Sequence, residues 1–286
     1  MNAAARLAAF AIGLALIFAG AAFAGSRIDV HPGRQSATQD HKPAMSEMRA
    51  DAKMASQAVR GLAVSDNGLT LRLARTTATP GKPFQLVFRI VDRRGQTVRD
   101  FDVEHTKRMH FIVVRRDMTG FQHLHPTQSP DGSWSVPVTL RDAGSYRVFA
   151  DFSVDGKPHT LADDLAADGT VRSRELPAPV ASADVDGLRV SLTEGASRAG
   201  AESRLAFDVT RDGKPVAVER YLGAKGHLVA LREGDLAFLH VHPTSYADGE
   251  IGFAATFPTA GRYRLFLQFK TEGRVHTAAF TQEVTR

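Results

Sequence analysis

The chain has 286 residues, enough for two domains that each bury a core, and its 43% hydrophobic and 23% charged fractions are those of globular proteins. Its formal net charge is +5, yet Lys and Arg are interspersed with Asp and Glu and no basic run with interleaved aromatics occurs, which sets nucleic acid aside. There is no cysteine, so disulfides and thiolate chemistry are excluded, and a metal here is held by nitrogen, oxygen or thioether donors.

Residues 1–24 carry Arg6 as their one charge and run apolar from Leu7 to Ala24, which reads as an export signal. Ala22-Phe23-Ala24 before Gly25 suits a processing site, while the length of the run also suffices to span a bilayer. An uncleaved membrane anchor is the preferred reading and a cleaved signal peptide the other. Both place the remainder outside the cytoplasm. Residues 25–58 lack apolar periodicity and read as a flexible tether that holds His31, His41, Met45, Met48 and Met54.

From Gly61 onward short alternating apolar runs take over, such as Leu69-Thr70-Leu71-Arg72-Leu73 and Phe84-Gln85-Leu86-Val87-Phe88-Arg89-Ile90. Turn signals separate them, among them Asn67-Gly68, Asp131-Gly132 and Asp155-Gly156. No long segment beyond the tether holds a helical period. The expected body is all-β.

An internal repeat organises it. Residues 110–160 align with 227–277 at a constant offset of 117, matching His110 with His227, His123 with His240, His125 with His242, and His159 with His276. Tyr146-Arg147 falls on Tyr263-Arg264, and Asn67-Gly68-Leu69 pairs upstream with Asp186-Gly187-Leu188. Two β-sandwich domains follow, 59–176 and 180–286, with Leu176 to Ser182 as the linker.

Each repeat carries His, twelve residues, then His-x-His-Pro. Histidines at i and i+2 on a strand share a face. If Glu233-Gly234 makes a two-residue turn, His227 faces His240, and the same register sets His110 opposite His123. Opposed Cβ atoms about 4.5–5.5 Å apart let imidazoles reach one ion. The candidate metal ligands are therefore His110, His123 and His125, and His227, His240 and His242. Copper(II) is the first choice and zinc the alternative, since three imidazoles suit either. Secondary candidates are His159 and His276, although turn arithmetic sets them opposite Phe152 and Phe269, an aromatic setting closer to packing. Met109 could offer a thioether, but Gly226 stands in its place in repeat two. His105, present only in repeat one, reads as a surface histidine. Tyr146, Tyr263 and Trp134 read as core.

Pro80-Gly81-Lys82-Pro83 before a strand, Asp92 to Gly95, a histidine-bearing strand, Asp131-Gly132 and Ala143-Gly144-Ser145-Tyr146-Arg147 together resemble the YtkA-like and FixH-like immunoglobulin-type domains of exported bacterial proteins, related in form to CopC-type copper carriers. The resemblance implies an immunoglobulin-like β-sandwich for each domain and a general association with copper handling. The chain departs from the CopC type in lacking an N-terminal histidine on the mature domain and a Met-rich loop.

The expected function is extracytoplasmic metal binding that buffers or delivers copper at the membrane surface, with a membrane metal transporter or a metalloprotein as recipient. The alternative is a structural or interaction module that assists a membrane complex. No Ser-His-Asp grouping, paired-acid motif, phosphate-cradling loop or HExxH points to an enzyme.

Overall fold

The computed structural model describes residues 59–244 and 250–286. The anchor or signal expected over 1–24, the tether over 25–58 with its His and Met residues, and Asp248-Gly249 lie outside the described residues. Among the described residues no helix occurs, and so none is long and apolar enough to cross a membrane.

The first domain has ten strands: β1 Ser65–Asp66, β2 Leu69–Leu73, β3 Thr77–Ala78, β4 Phe84–Val91, β5 His110–Arg115, β6 Gln122–Leu124, β7 Thr127–Gln128, β8 Trp134–Val138, β9 Gly144–Val154 and β10 Lys157–Ala167. The second has β11 Ser182–Val185, β12 Leu188–Glu194, β13 Ser197–Arg198, β14 Glu202–Arg211, β15 Lys214–Pro215, β16 Gly226–Arg232, β17 Phe238–His240, β18 His242–Thr244, β19 Ile251–Thr256, β20 Gly261–Thr271 and β21 Arg274–Thr285. Residues 63–169 and 183–286 thus repeat one plan.

In each domain one sheet runs β1-β2-β4-β8-β7 or β11-β12-β14-β19-β18, and the other runs β3-β10-β9-β5-β6 or β13-β21-β20-β16-β17. That partition is the strand order of immunoglobulin-type sandwiches. Alternation sets the inner face: along β4, Leu86, Phe88 and Ile90 are buried while Gln85 and Val87 are exposed. The hairpin signals form as expected, with Asn67 and Gly68 at φ 50 and 85 and their counterparts Asp186 and Gly187 at φ 49 and 77. Both turn residues at positive φ is what a two-residue hairpin of matching twist requires.

The two tyrosines are structural. Tyr146 Oη donates to the Asp142 carbonyl at 2.8 Å, and Tyr263 Oη donates to the Thr259 carbonyl at 3.0 Å. This bond pins the corner where an immunoglobulin-type strand enters the sheet. Trp134 is a core residue too, lying parallel to Phe88 and edge-on to Phe101.

Strands β5 and β16 break the alternation, because nearly every residue in them is buried. Phe111 and Val113 enter the first core, and Leu228 and Ala230 the second. Ile112, Val114, Val229 and Leu231 face the other way, into a third apolar cluster between the domains. There Phe121 stacks on Phe266 at 4.0 Å and Phe238 meets Phe149 at 5.4 Å. Phe121 and Phe238 are equivalent by the repeat, as are Phe149 and Phe266. The contact is therefore self-complementary, the pattern of an isologous interface built within one chain.

Removing one of these rings is expected to act on the junction as well as on stability. Phe149→Ala should cost about 3–5 kcal/mol in urea unfolding and split a single transition into two. A loss below about 1 kcal/mol, in the range of an ordinary surface substitution, would contradict this packing.

Candidate metal centre

The histidine hairpins are longer than a two-residue turn allows. Arg232 N donates to the Ala237 carbonyl and Leu236 takes φ 61; in repeat one Arg115 N donates to the Thr119 carbonyl and Met118 takes φ 62. His240 consequently pairs with Val229 rather than His227, and His123 with Ile112 rather than His110. The slip is two residues. An even slip leaves each side chain on its assigned face, whereas a slip of one would reverse it.

The His-x-His-Pro motif is the crossover between the two sheets. His123 lies in β6, and after His125 and Pro126 the chain joins the other sheet as β7. In repeat two His240 ends β17, and His242 opens β18 on the other sheet, paired with Ala254. The side chains of His240 and His242 lie outside the described residues.

In repeat one the three expected ligands converge. One nitrogen from each of His110, His123 and His125 lies within 4.8 Å of the others. The ring centroids are 5.3 Å apart for His110 and His123, 5.1 Å for His110 and His125, and 4.9 Å for His123 and His125. With metal–nitrogen bonds of about 2.0–2.1 Å, ligand nitrogens on one ion stand roughly 3–4 Å apart, so small side-chain rotations close the site.

The partners of each ring decide which nitrogen carries the proton. The Glu104 carbonyl, which can only accept, lies 3.3 Å from His110 Nε2 and so assigns the proton to that atom. Gln268 Oε1 lies 2.9 Å from His123 Nδ1, and Gln268 Nε2 donates to Thr277 Oγ1 at 3.2 Å. His110 Nδ1 and His123 Nε2 face one another at 3.1 Å, within hydrogen-bond distance. His125 Nε2 is a third buried nitrogen, and it has no hydrogen-bond partner.

Burial keeps these rings neutral. Burial pushes His123 well below the ordinary imidazole value, and its neighbours His110, His125 and His227 add to the effect. Burial, then His110 and Lys107, push His125 down to about 3. His227 is pushed down to about 4 by burial, against the raising effect of its hydrogen bond to the Tyr221 carbonyl. These donors are neutral at physiological pH, the state that binds a metal.

The two repeats do not stand apart. The His227 ring lies 6.4 Å from His110 and 6.2 Å from His123. Its Nε2 donates to the Tyr221 carbonyl at 2.8 Å, which repeats the His110–Glu104 bond at the same offset and leaves the lone pair on Nδ1. His105 is no isolated surface residue, since its ring lies 5.5 Å from that of His227. His105, His110, His123, His227 and Asp151 border one interdomain cavity of about 40 Å³. That volume suits one or two small species.

The secondary candidates stand elsewhere. Directly paired residues share a face, and His159 pairs with Phe152 while His110 pairs with Asp151 on the alternate face. His159 stacks on Phe152 at 5.5 Å and His276 on Phe269 at 5.4 Å, with His276 Nδ1 2.7 Å from Asp186 Oδ2. Met109 is 1% exposed and packs in the first core, on the side of its strand away from His110. Gly226 replaces it in repeat two because a Cβ there would lie 2.6 Å from Ile251 Cγ2. None of the three joins the cluster.

Sequence reasoning passed over Gln268 and Asp151 and read His105 as a surface residue. A signal existed for two of them: Asp151 and Gln268 are polar residues at equivalent positions inside otherwise apolar runs. The backbone carbonyls of Glu104 and Tyr221 leave no trace in residue identity.

The profile of a family described as a domain of unknown function, DUF8832, matches residues 63–169 and again 183–286. No curated protein matches the chain. Similar solved structures include the Escherichia coli adhesin FdeC, with 15% identity, 78% of this chain and 66% of that one covered, and a TM-score of 0.28. Yersinia pseudotuberculosis InvD has 12% identity, 77% and 58% coverage and a TM-score of 0.26. Salmonella alpha-2-macroglobulin has 14% identity, 80% and 15% coverage and a TM-score of 0.29. The chain spans less than two thirds of each of these proteins, and scores this low carry nothing about activity.

The depressed imidazoles set a pH dependence. An unfolded histidine takes up a proton near pH 6.5 and the folded one does not, so below that pH the unfolded chain binds more protons and folding is penalised. Metal-free protein should hold its full stability above pH 6.5 and lose it progressively as pH falls toward 4. Urea midpoints at pH 7.5 and 4.5 test this. Equal midpoints would show that these rings are solvated in solution.

Proposed function

This chain belongs to the DUF8832 family, and from the geometry of its histidines we propose that it is an exported metal-binding protein, suited first to copper, that buffers or delivers the ion outside the cytoplasm. The carrying observation is the convergence of His110, His123 and His125, with one nitrogen of each within 4.8 Å of the others. Of these three rings, His125 has a buried Nε2 with no hydrogen-bond partner. Neutral imidazoles favour copper(II) over the other divalent first-row ions, and three of them with an open position also suit zinc. The backbone carbonyl on His110 and the amide on His123 are the supports that fix tautomer and ring orientation in metal sites.

The proposal is a carrier rather than a catalyst, in keeping with a cavity of about 40 Å³ that admits an ion and a water but no organic substrate. The apolar run from Leu7 to Ala24 supports export, with a retained anchor holding the domains at the membrane. The motif resemblance to YtkA-like, FixH-like and CopC-type domains supports copper as the cargo and a membrane transporter or metalloprotein as its recipient.

A second reading is an interaction module without metal. It is favoured by the hydrogen bonds of His110, His123 and His227 to Glu104, Gln268 and Tyr221, through which the rings act as polar ties at the domain junction.

Copper titration separates the two readings. Purified protein should bind Cu(II), and His123→Ala combined with His125→Ala should abolish uptake at the first-repeat site. At a hundredfold excess over Kd the ion stabilises the folded state by about 2.7 kcal/mol, or roughly 5–10 °C in Tm. A Tm unmoved by copper and zinc would favour the interaction module.

A further inference from the structure

The ligands His110, His123 and His125 belong to the first domain, but the residue that orients one of them belongs to the second. Gln268, on β20, accepts from His123 Nδ1 at 2.9 Å and is buried, 8% exposed. Its own NH₂ donates to Thr277 Oγ1 at 3.2 Å, so the amide is bonded at both ends with its oxygen toward the histidine. That orientation has a chemical consequence. Turned over, the amide would present N–H to Nδ1, the proton of a neutral His123 would move to Nε2, and the lone pair facing His110 would be lost. The neighbouring wall of the cavity is also shared, since His227 comes from the second domain and His105 from the first.

We propose that an ion held by His110, His123 and His125 clamps the two domains together, with Gln268 as the positioning residue through which the second domain sets the ligand state of the first. The proposal rests on the metal-binding reading above. It adds that the site is complete only when the Phe149, Phe238 and Phe266 face is docked. Coupling of this kind is reciprocal: docking raises affinity for the ion, and the ion strengthens docking by the same factor. A carrier built this way loosens its domain junction when it gives up its cargo.

The test is Cu(II) competition titration and electron paramagnetic resonance on the full chain with sub-stoichiometric copper, together with amide exchange at the interface strands β5, β9, β16 and β20. Gln268→Leu keeps the bulk but removes the acceptor, and should lose roughly 10–100-fold in affinity, the usual effect of deleting an outer hydrogen-bond partner. It should also change the copper spectrum and lose the metal-induced protection of the interface amides. Gln268→Glu still accepts from Nδ1 and should retain affinity and spectrum. Thr277→Val, which frees the amide without touching histidine, should lower affinity by a smaller factor and serves if the Leu variant fails to fold. Parental affinity, spectrum and protection in the Leu variant, or in Thr277→Val if that is the folded one, overturn the clamp while metal binding stands. A parent chain that takes up no copper overturns both readings.

Discussion

Each domain has one sheet that needs cover on both faces, and the two sheets cover one another. Strands β5 and β16 are buried throughout, so half their side chains fill their own sandwich and half meet the opposite domain. Burial of an aromatic or aliphatic side chain contributes about 1.5–3 kcal/mol. A face holding Phe149, Phe238, Phe266, Ile112 and Leu231 therefore supplies a large share of the cohesion between domains. No disulfide assists it, because the chain has no cysteine.

The histidines occupy the polar end of this same face. His110 begins β5 and His227 lies near the start of β16, where the apolar cluster gives way to the crossovers and to the turns at Glu104 and Tyr221. Drying of the junction explains their electrostatics. A charged imidazole loses its hydration there, so His123, His125 and His227 are held neutral. The bonds that keep the protons on the outward nitrogens of His110 and His123 then leave inward lone pairs. One physical cause, burial between domains, produces both the cohesion and the donor set.

The repeat gives the junction its symmetry, and substitutions since duplication have made it unequal. Phe121 with Phe266 and Phe238 with Phe149 preserve an isologous contact. Asp151 stands where the second repeat has Gln268, and His105 where it has Leu222. A carboxylate and a neutral amide at equivalent positions lend the two halves of the cavity different charge. The halves are chemically distinct even though the backbones follow one plan.

The sequence by itself determined the strand-rich fold, the duplication, the turns at Asn67-Gly68 and Asp186-Gly187 and the convergence of His110, His123 and His125, because these depend on period, turn chemistry and repetition that stay local in the chain. Even the face shared by His110 and His123 was legible, since an error of two residues in register preserves it. The unbroken apolar runs Phe111-Ile112-Val113-Val114 and Leu228-Val229-Ala230-Leu231 signalled strands buried on both sides, but not what buries the second side. Only the tertiary structure decided that the opposite domain does so, that His159, His276 and Met109 turn away from the cluster, and that Gln268 reaches His123 across the junction. Those outcomes depend on which surfaces dock. Docking is settled by the summed fit of residues more than a hundred positions apart, which no local pattern records.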